Sequence, residues 1–160
     1  MYRNKIYLAG PFFSDRQIEH VRQVEALLKE NPTVQTENIY VPMDQDASVE
    51  FEVGSLEWQR IVFNSDIRQI HQSDCVVAIL DYVEDKEGNK QPDSGTIFEL
   101  GVAFQANIPV VLVQFDETNT LNLMLAQSYT HFFNGQTEIQ KLATYDFNRL
   151  IPNVVPVNVI

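Results

Sequence analysis

The stretch Cys75-Val76-Val77-Ala78-Ile79-Leu80 decides the fold that this sequence predicts. It is a continuous apolar run rich in β-branched residues, which indicates a strand buried on both faces, as in a parallel sheet. Cys75 is the single cysteine of the chain, and in these apolar surroundings we expect a buried, inert thiol. With no disulfide possible within the chain, a reducing cytoplasm is the expected location.

Downstream of this strand, a polar loop over residues 81–92 leads into Asp93-Ser94-Gly95-Thr96-Ile97-Phe98-Glu99. That segment opens a helix that ends near Ala106-Asn107. Another buried strand follows over residues 109–113, then a helix over 119–126, a short strand over 131–133 and a short helix over 138–143.

Upstream, Ile6-Tyr7-Leu8-Ala9 predicts a first strand that ends at Gly10-Pro11. Ser14 or Asp15 is the expected cap of the next helix, which Asn31-Pro32 stops. A second strand is predicted over residues 39–42. Residues 44–54 carry acids without a period, so we expect a mobile or ligand-covering loop. A helix over residues 56–73 follows, with an inward set of Leu56, Ile61, Val62, Ile67 and Ile70.

Strands that alternate with helices at this spacing predict βαβ units and a parallel sheet covered on both faces. We therefore predict one domain over residues 1–160, with a flavodoxin-like, doubly wound α/β fold of four or five strands. Ligands bind beyond the carboxyl ends of the strands in such folds. The loops expected to meet there are residues 10–16, 42–54, 81–99 and 115–122.

The charge balance limits the class of ligand. A formal net charge of −11 disfavours nucleic acid and anionic membranes as partners and makes a neutral ligand the better expectation. No apolar run approaches the length of a membrane span, and the N-terminus is too short in apolar residues for a signal peptide.

The chain lacks several well-known catalytic and binding motifs. There is no G-x-G-x-x-G, no P-loop lysine, no nucleophile elbow and no His/Cys set with zinc spacing, so no zinc site is expected. What remains near the predicted crevice is carboxylate and amide chemistry, with a tyrosine on the first strand. The candidates are Glu99, Asp93, Asp66 and Asn122, with Tyr7 and Asp15 near the first turn.

Each candidate also has a purely structural interpretation. Thr96-x-x-Glu99 matches a capping box, and Asp93 and Asn122 match helix caps. Asp66 matches a solvated helix face, and Tyr7 a core residue with a satisfied hydroxyl. The functional interpretation is glycosyl transfer, which needs carboxylates around a neutral ligand. Backbone N–H groups at the helix start would then keep Glu99 ionised.

Four stretches, in order, make the chain resemble the nucleoside 2-deoxyribosyltransferases. They are Lys5-Ile6-Tyr7-Leu8-Ala9-Gly10-Pro11-Phe12-Phe13; Glu57-Trp58 with Asn64-Ser65-Asp66-Ile67; Asp93-Ser94-Gly95-Thr96-x-x-Glu99-Leu100-Gly101; and Asn122-Leu123-Met124. The resemblance implies exchange of nucleobases on 2-deoxyribose without a cofactor, through a covalent sugar–glutamate ester and with retention.

The resemblance also implies residue roles. Glu99 would be the nucleophile, Tyr7 would orient it, and Asp66 would manage the proton of the base. Substrate binding would fall to Asp93 on the sugar hydroxyls, to Phe13 as an apolar wall, and to Gly10, Asn122 and Met124.

The same resemblance implies an assembly. The sites of the family are completed across a dimer within a hexamer, and Asn122 would come from the neighbouring subunit. Members of the family often end in a tyrosine whose carboxylate enters the neighbouring site, where this sequence has Ile160.

Two alternatives remain open from the sequence. One is hydrolysis of 2-deoxynucleosides or their 5-monophosphates, for which Ser14 and Arg16 are the candidate phosphate ligands. The other is a non-catalytic nucleotide-binding module on the same fold.

Overall fold

A computed structural model describes residues 2–45 and 51–160. In chain order its strands are β1 (Asn4–Ala9), β2 (Val34–Tyr40), β3 (Cys75–Ile79), β4 (Tyr82–Glu84), β5 (Lys90–Pro92), β6 (Val110–Gln114) and β7 (His131–Asn134). The helices are α1 (Asp15–Glu30), α2 (Leu56–His71), α3 (Ser94–Gln105), α4 (Leu123–Ala126) and α5 (Gln136–Ile139), with 3-10 turns at Pro42–Asp44 and Gln140–Ala143.

Five strands form one sheet in the order β2-β1-β3-β6-β7. Every neighbouring pair in it is parallel. Counted within the sheet, this is the flavodoxin-like order 2-1-3-4-5, in which ligands bind where the order reverses, between β1 and β3. The predicted fold class is confirmed.

Alternation along the strands divides the core between the two faces of the sheet. On one face Ile6, Leu8 and Val77 pack in a cluster with Val24 and Leu28 of α1. On the other face the intervening strand residues pack in a second cluster with Ile70 of α2 and with Leu100 and Ala103 of α3; they include Tyr7, Ala9, Val76 and Ala78. Helices therefore cover both faces, and Cys75 is buried as expected, with its thiol pKa raised by that burial.

Polar caps fix where the helices begin. Ser14 accepts from the backbone N–H of Gln17 at the start of α1, and Ser55 accepts from Trp58 at the start of α2. Of the two predicted caps for α1, Ser14 is the one observed.

Several predicted elements differ from the structure. The helix predicted over residues 119–126 begins only at Leu123, with Asn122 as its N-cap. Residues 81–92 were expected to be a loop, but β4 and β5 pair there as an antiparallel hairpin. Its strands have three residues each and are largely exposed, so no hydrophobic period marks them.

The second strand also begins earlier than predicted, at the buried Val34, and ends at Tyr40. The residues between Val34 and Ile39 are polar and mostly exposed at the edge of the sheet, so no apolar pattern marks them.

The predicted inward face of α2 is wrong in large part. Only Ile70 is buried, while Leu56 and Ile61 are 56% and 40% exposed. The reason is that α2 packs on α3 rather than broadly on the sheet, so most of its apolar stripe has no cover within the protomer.

The structure describes part of the covering loop predicted over residues 44–54. Residues 46–50 of the predicted covering loop lie outside the described residues. The 3-10 turn at Pro42–Asp44 ends at Asp44, the first residue of that loop. Among the helices described, none is long and apolar enough to cross a membrane.

Candidate active site

A pocket of about 330 Å³ opens at the carboxyl end of β1. Its walls come from the turn after β1, the 3-10 turn after β2, one face of α2 and the first turns of α3. Three of the four predicted loops thus meet at the reversal of strand order. The fourth, residues 115–122, contributes instead to a separate pocket that contains Phe115, Asp116 and Asn119.

Glu99 and Tyr7 form the centre of this site. The Tyr7 side chain is fully buried, and its hydroxyl donates a hydrogen bond of 2.7 Å to Oε1 of Glu99. Burial, together with the nearby charges of Glu99 and Asp66, raises the pKa of Tyr7. The phenol therefore keeps its proton and stays a donor to the carboxylate.

Burial raises the pKa of Glu99 to about 7; the charges of Asp66 and Asp93 add to this, and the Tyr7 hydrogen bond opposes it. The expectation that backbone N–H groups keep Glu99 fully ionised is wrong. Glu99 lies in the second turn of α3, beyond the free N–H groups of the first turn, so loss of water dominates. Near neutral pH both protonation states of Glu99 are populated.

The capping-box interpretation of Thr96 and Glu99 is also wrong. α3 begins one turn earlier, and Asp93 is its N-cap: Oδ2 of Asp93 accepts from the Thr96 backbone N–H at 2.7 Å and from the Thr96 hydroxyl at 3.0 Å. A Cβ on Gly95 would lie 3.1 Å from that same oxygen, so glycine leaves room for it. Asp93 therefore caps the helix and lines the pocket at once.

Asp66 lies on the wall formed by α2. It is half-buried, so the solvated-face interpretation is wrong. The Tyr40 hydroxyl donates a hydrogen bond of 2.8 Å to its Oδ1. Burial raises the pKa of Asp66 and the Tyr40 hydrogen bond acts against that rise. Its charge raises the pKa of Glu99, so the two carboxyl groups act on each other.

Tyr40 is a site residue that the sequence reasoning missed. It is the last residue of β2, and residues at the carboxyl ends of parallel strands face the ligand edge, so its position carried a usable signal. Gln45 and Trp58 also line the pocket and were not named as site residues. Trp58 belongs to the Glu57-Trp58 stretch of the family resemblance, whereas no sequence pattern separates Gln45 from an ordinary turn residue.

The turn after β1 supplies one apolar wall. Phe13 lines the pocket although it is 75% exposed, and it stacks on Phe12 with ring centroids 5.1 Å apart. Gly10 lines the pocket as well, and a Cβ there would lie 3.2 Å from Cβ of Ile79. The close approach of β1 to β3 at this point favours glycine.

Asn122 and Met124 are not brought to this pocket within the protomer. Oδ1 of Asn122 accepts from the Met124 backbone N–H at 2.9 Å, as the helix-cap interpretation expected. The Met124 side chain is 75% exposed. Among the described residues, both lie outside the lining that contains Glu99.

The candidate phosphate ligands are engaged elsewhere. Ser14 caps α1, and Arg16 donates to Oδ1 of Asp81 at 3.1 Å in the separate pocket beside His20. None of the described residues that line the Glu99 pocket is basic. The described residues also contain no cluster of three or more acidic, His or Cys side chains able to hold a metal ion.

Comparisons of the sequence with a family model and with known proteins indicate the same family. The family model described as nucleoside 2-deoxyribosyltransferase matches residues 6–150. The chain is 32% identical to a nucleoside deoxyribosyltransferase of Limosilactobacillus fermentum, over 95% of this chain and 91% of that protein. It is 32% identical to the corresponding protein of Lactobacillus leichmannii, over 78% and 80% of the two chains.

Solved structures agree with the sequence relatives. A 2-deoxyribosyltransferase from Bacillus psychrosaccharolyticus superposes with a TM-score of 0.77 and 29% identity, covering 94% of this chain and 98% of that one. A conserved protein from Enterococcus faecalis V583, at 20% identity and a TM-score of 0.54, shares the fold.

Proposed function

The chain belongs to the nucleoside 2-deoxyribosyltransferase family, and on that premise we propose that it moves 2-deoxyribose from one nucleobase to another. The observation that carries the proposal is the pair of half-buried carboxyl groups, Glu99 and Asp66, each held by a tyrosine hydroxyl in one pocket. That pocket has no basic residue among those described, which suits a neutral nucleoside.

In the first half-reaction, the Glu99 carboxylate attacks C1′ of the sugar. The bond from C1′ to the base nitrogen breaks, its electron pair leaves with the base, and Asp66 in its acid form supplies the proton that the base needs. Tyr7 holds Oε1 of Glu99, so the other carboxylate oxygen, Oε2, is the one that attacks. The product is a deoxyribosyl ester of Glu99.

In the second half-reaction, a nitrogen of the incoming base attacks C1′ on the face of the sugar that the first base occupied, opposite Glu99. The ester bond breaks, the Glu99 carboxylate is restored, and Asp66 takes the proton that the incoming base loses. Two inversions give net retention at C1′. No cofactor takes part in these steps.

The other residues bind the substrate in this proposal. The Asp93 carboxylate accepts hydrogen bonds from the sugar hydroxyls while it caps α3, and Phe13 provides an apolar wall beside the close-packed Gly10. Asn122 and Met124 complete the site from a second copy of the chain. Their position outside the protomer's pocket supports that assignment.

A homo-oligomer follows from the same assignment, and an apolar surface supports it. Phe63 of α2 and Phe98 of α3 are more than half exposed, and their ring centroids lie 5.9 Å apart. Phe104, further along α3, is 56% exposed. Exposed aromatic side chains that pack side by side, as Phe63 and Phe98 do, mark a contact between proteins. We propose that these faces pair two copies and that dimers assemble into a hexamer, a trimer of dimers.

The cytoplasm is the proposed location, because the single cysteine is a buried free thiol. The net charge of −11 argues against nucleic acid or a membrane surface as a further partner.

Hydrolysis of nucleoside monophosphates is the weaker alternative, since Ser14 and Arg16 are both committed outside the Glu99 pocket. A base-exchange assay separates the possibilities. The protein is incubated with one deoxynucleoside, with and without a second base, beside Glu99→Gln as the control. Transfer predicts a new deoxynucleoside only when the second base is present and none with Glu99→Gln. Equal base release in both incubations without a new nucleoside means hydrolysis, and binding without turnover means a non-catalytic module.

A further inference from the structure

Two tyrosines on neighbouring strands each hold one carboxyl group of the site. Tyr7 and Tyr40 are register partners of β1 and β2, and their rings stack with centroids 5.3 Å apart and planes inclined by 21°. Tyr7 donates to Glu99, and Tyr40 donates to Asp66. The strand register therefore sets the spacing between the two tyrosine hydroxyls, and with it the spacing between the two carboxyl groups.

We propose that Tyr40 is a positioning residue for proton transfer: it fixes the carboxyl group of Asp66 so that Asp66 can give a proton to the leaving base and take one from the incoming base. This inference rests on the proposed function. It assigns to Tyr40 a role toward Asp66 that matches the role of Tyr7 toward Glu99.

The contacts of the Tyr40 hydroxyl support a specific role rather than simple filling of space. It lies 2.8 Å from Oδ1 of Asp66 and 3.4 Å from Oγ of Ser65, the residue before Asp66 in α2. Burial raises the pKa of Tyr40 to about 12, so the hydroxyl is protonated at neutral pH. Since its proton goes to Asp66, the Ser65 hydroxyl is the donor in the second contact.

The protonation of Asp66 depends on the groups around it. Tyr40 comes from β2, Tyr7 from β1, and Glu99 and Asp93 from α3 and its cap; all lie on the walls of the pocket or are hydrogen-bonded to them. Two of these neighbours are acids, and Tyr40 is the one that donates directly to the Asp66 carboxylate. A group that gives a proton in one half-reaction and takes it in the other works best with a pKa near the working pH. Tyr40 opposes the upward shift that burial imposes on Asp66.

Tyr40→Phe removes the hydroxyl and keeps the stacked ring. We expect kcat for ordinary deoxynucleosides to fall about 10-fold, because proton transfer loses its alignment, while KM changes less than about 2-fold. The basic limb of the pH profile should move to higher pH, since the ionised form of Asp66 loses a donor. Tyr145→Phe is the matched control; its hydroxyl donates to the Ile151 carbonyl, outside the site.

Pre-steady-state release of the base separates positioning from a general structural defect. The donors are an ordinary deoxynucleoside and one whose electron-poor base leaves as a stabilised anion. Tyr40→Phe should slow the first and leave the second within about 2-fold, because the second needs little protonation. Equal slowing of both donors, or an unchanged pH profile, would overturn the proposal.

A measurement independent of turnover completes the test. The carboxyl carbon of Asp66 is titrated by NMR in the unaltered protein and in Tyr40→Phe. The proposal predicts a higher pKa for Asp66 in the variant, and an unchanged pKa contradicts it. If the unaltered protein exchanges no base at all, the proposed function fails, while this titration still decides whether Tyr40 controls Asp66.

Discussion

At the scale of single residues, Glu99 combines two opposed requirements. In the proposed mechanism its attack on the sugar needs the carboxylate, while its burial favours the neutral acid and raises its pKa to about 7. Such a residue lowers the stability of the fold in the state in which it works. The conflict has a measurable consequence.

Glu99→Gln should make the protein more stable at alkaline pH. The pKa of Glu99 in the folded protein lies above its value of 4.5 in the unfolded chain. Its contribution to stability is therefore fully present below about pH 4.5 and is lost as the pH rises through about 7. Gln does not ionise, and its carbonyl can still accept from Tyr7.

We expect the free energy of unfolding of Glu99→Gln to exceed that of the unaltered protein by roughly 2 kcal/mol near pH 8 and to match it near pH 4. Urea unfolding at fixed protein concentration measures both. The exposed Glu138→Gln serves as the control. A variant that is less stable near pH 8 would contradict the burial argument.

At the scale of elements, the hairpin of β4 and β5 links two pockets. Asp81, just before β4, is buried and accepts from Arg16 and from His20, the latter at 2.7 Å. Asp93, just after β5, caps α3 and lines the site. The anchor at one end of the hairpin therefore helps to place the pocket-lining carboxylate of Asp93 at the other.

Asp81→Asn should loosen this element. Loss of the charge weakens both hydrogen bonds, and we expect a cost of about 1–2 kcal/mol in unfolding free energy. KM for the donor should rise several-fold while the oligomeric state stays unchanged. Urea unfolding and steady-state kinetics measure these effects, with Glu138→Gln as the control for loss of an exposed charge. Unchanged stability and KM would mean that the hairpin is held by its other contacts.

The elements also show how far the sequence can predict this structure. The strands β3 and β6 were predictable because a strand that is buried on both faces consists of a continuous run of apolar residues. The hairpin was not, because its short exposed strands carry no period. The sequence also predicted an apolar stripe on α2, but not which surface the stripe faces, since periodicity does not say whether the sheet or another protein covers it.

For the site the same limit applies. Glu99, Asp93 and Asp66 were identifiable from their residue types and from the family resemblance. Tyr40 was identifiable only through its position at the end of a strand, and its pairing with Asp66 depends on how α2 packs beside β2. The raised pKa of Glu99 depends on burial, which the helix start alone does not reveal.

At the scale of the whole molecule, the uncovered face of α2 and α3 predicts assembly. Phe63→Ser combined with Phe98→Ser should dissociate the oligomer, because the two rings form the proposed contact. Both rings are exposed in the protomer, so their replacement leaves the core of the protomer intact. Sedimentation equilibrium measures the mass. Leu123→Ser replaces an exposed apolar residue of α4 and tests that surface separately from the face of α2 and α3. If the double variant keeps the mass of the unaltered protein, these helices are not the dimer contact.

Shared sites can be tested by complementation. Glu99→Gln and Asn122→Ala should each be inactive alone, and co-expression should restore up to roughly a quarter of the activity if random pairing forms hybrid dimers. Glu99→Gln co-expressed with Tyr7→Phe is the control, since both changes lie in one protomer's pocket and should not complement. No recovery with Asn122→Ala would place each site within a single chain.

The central claim is that Glu99 carries the sugar between bases. The most direct measurement is intact-mass analysis of the protein quenched in acid after mixing with a deoxynucleoside alone, followed by peptide mapping. We predict one added deoxyribosyl group on the peptide that contains Glu99, its loss when a second base is added, and none with Glu99→Gln. An adduct on another residue, or exchange of bases without any adduct on Glu99, would contradict the account.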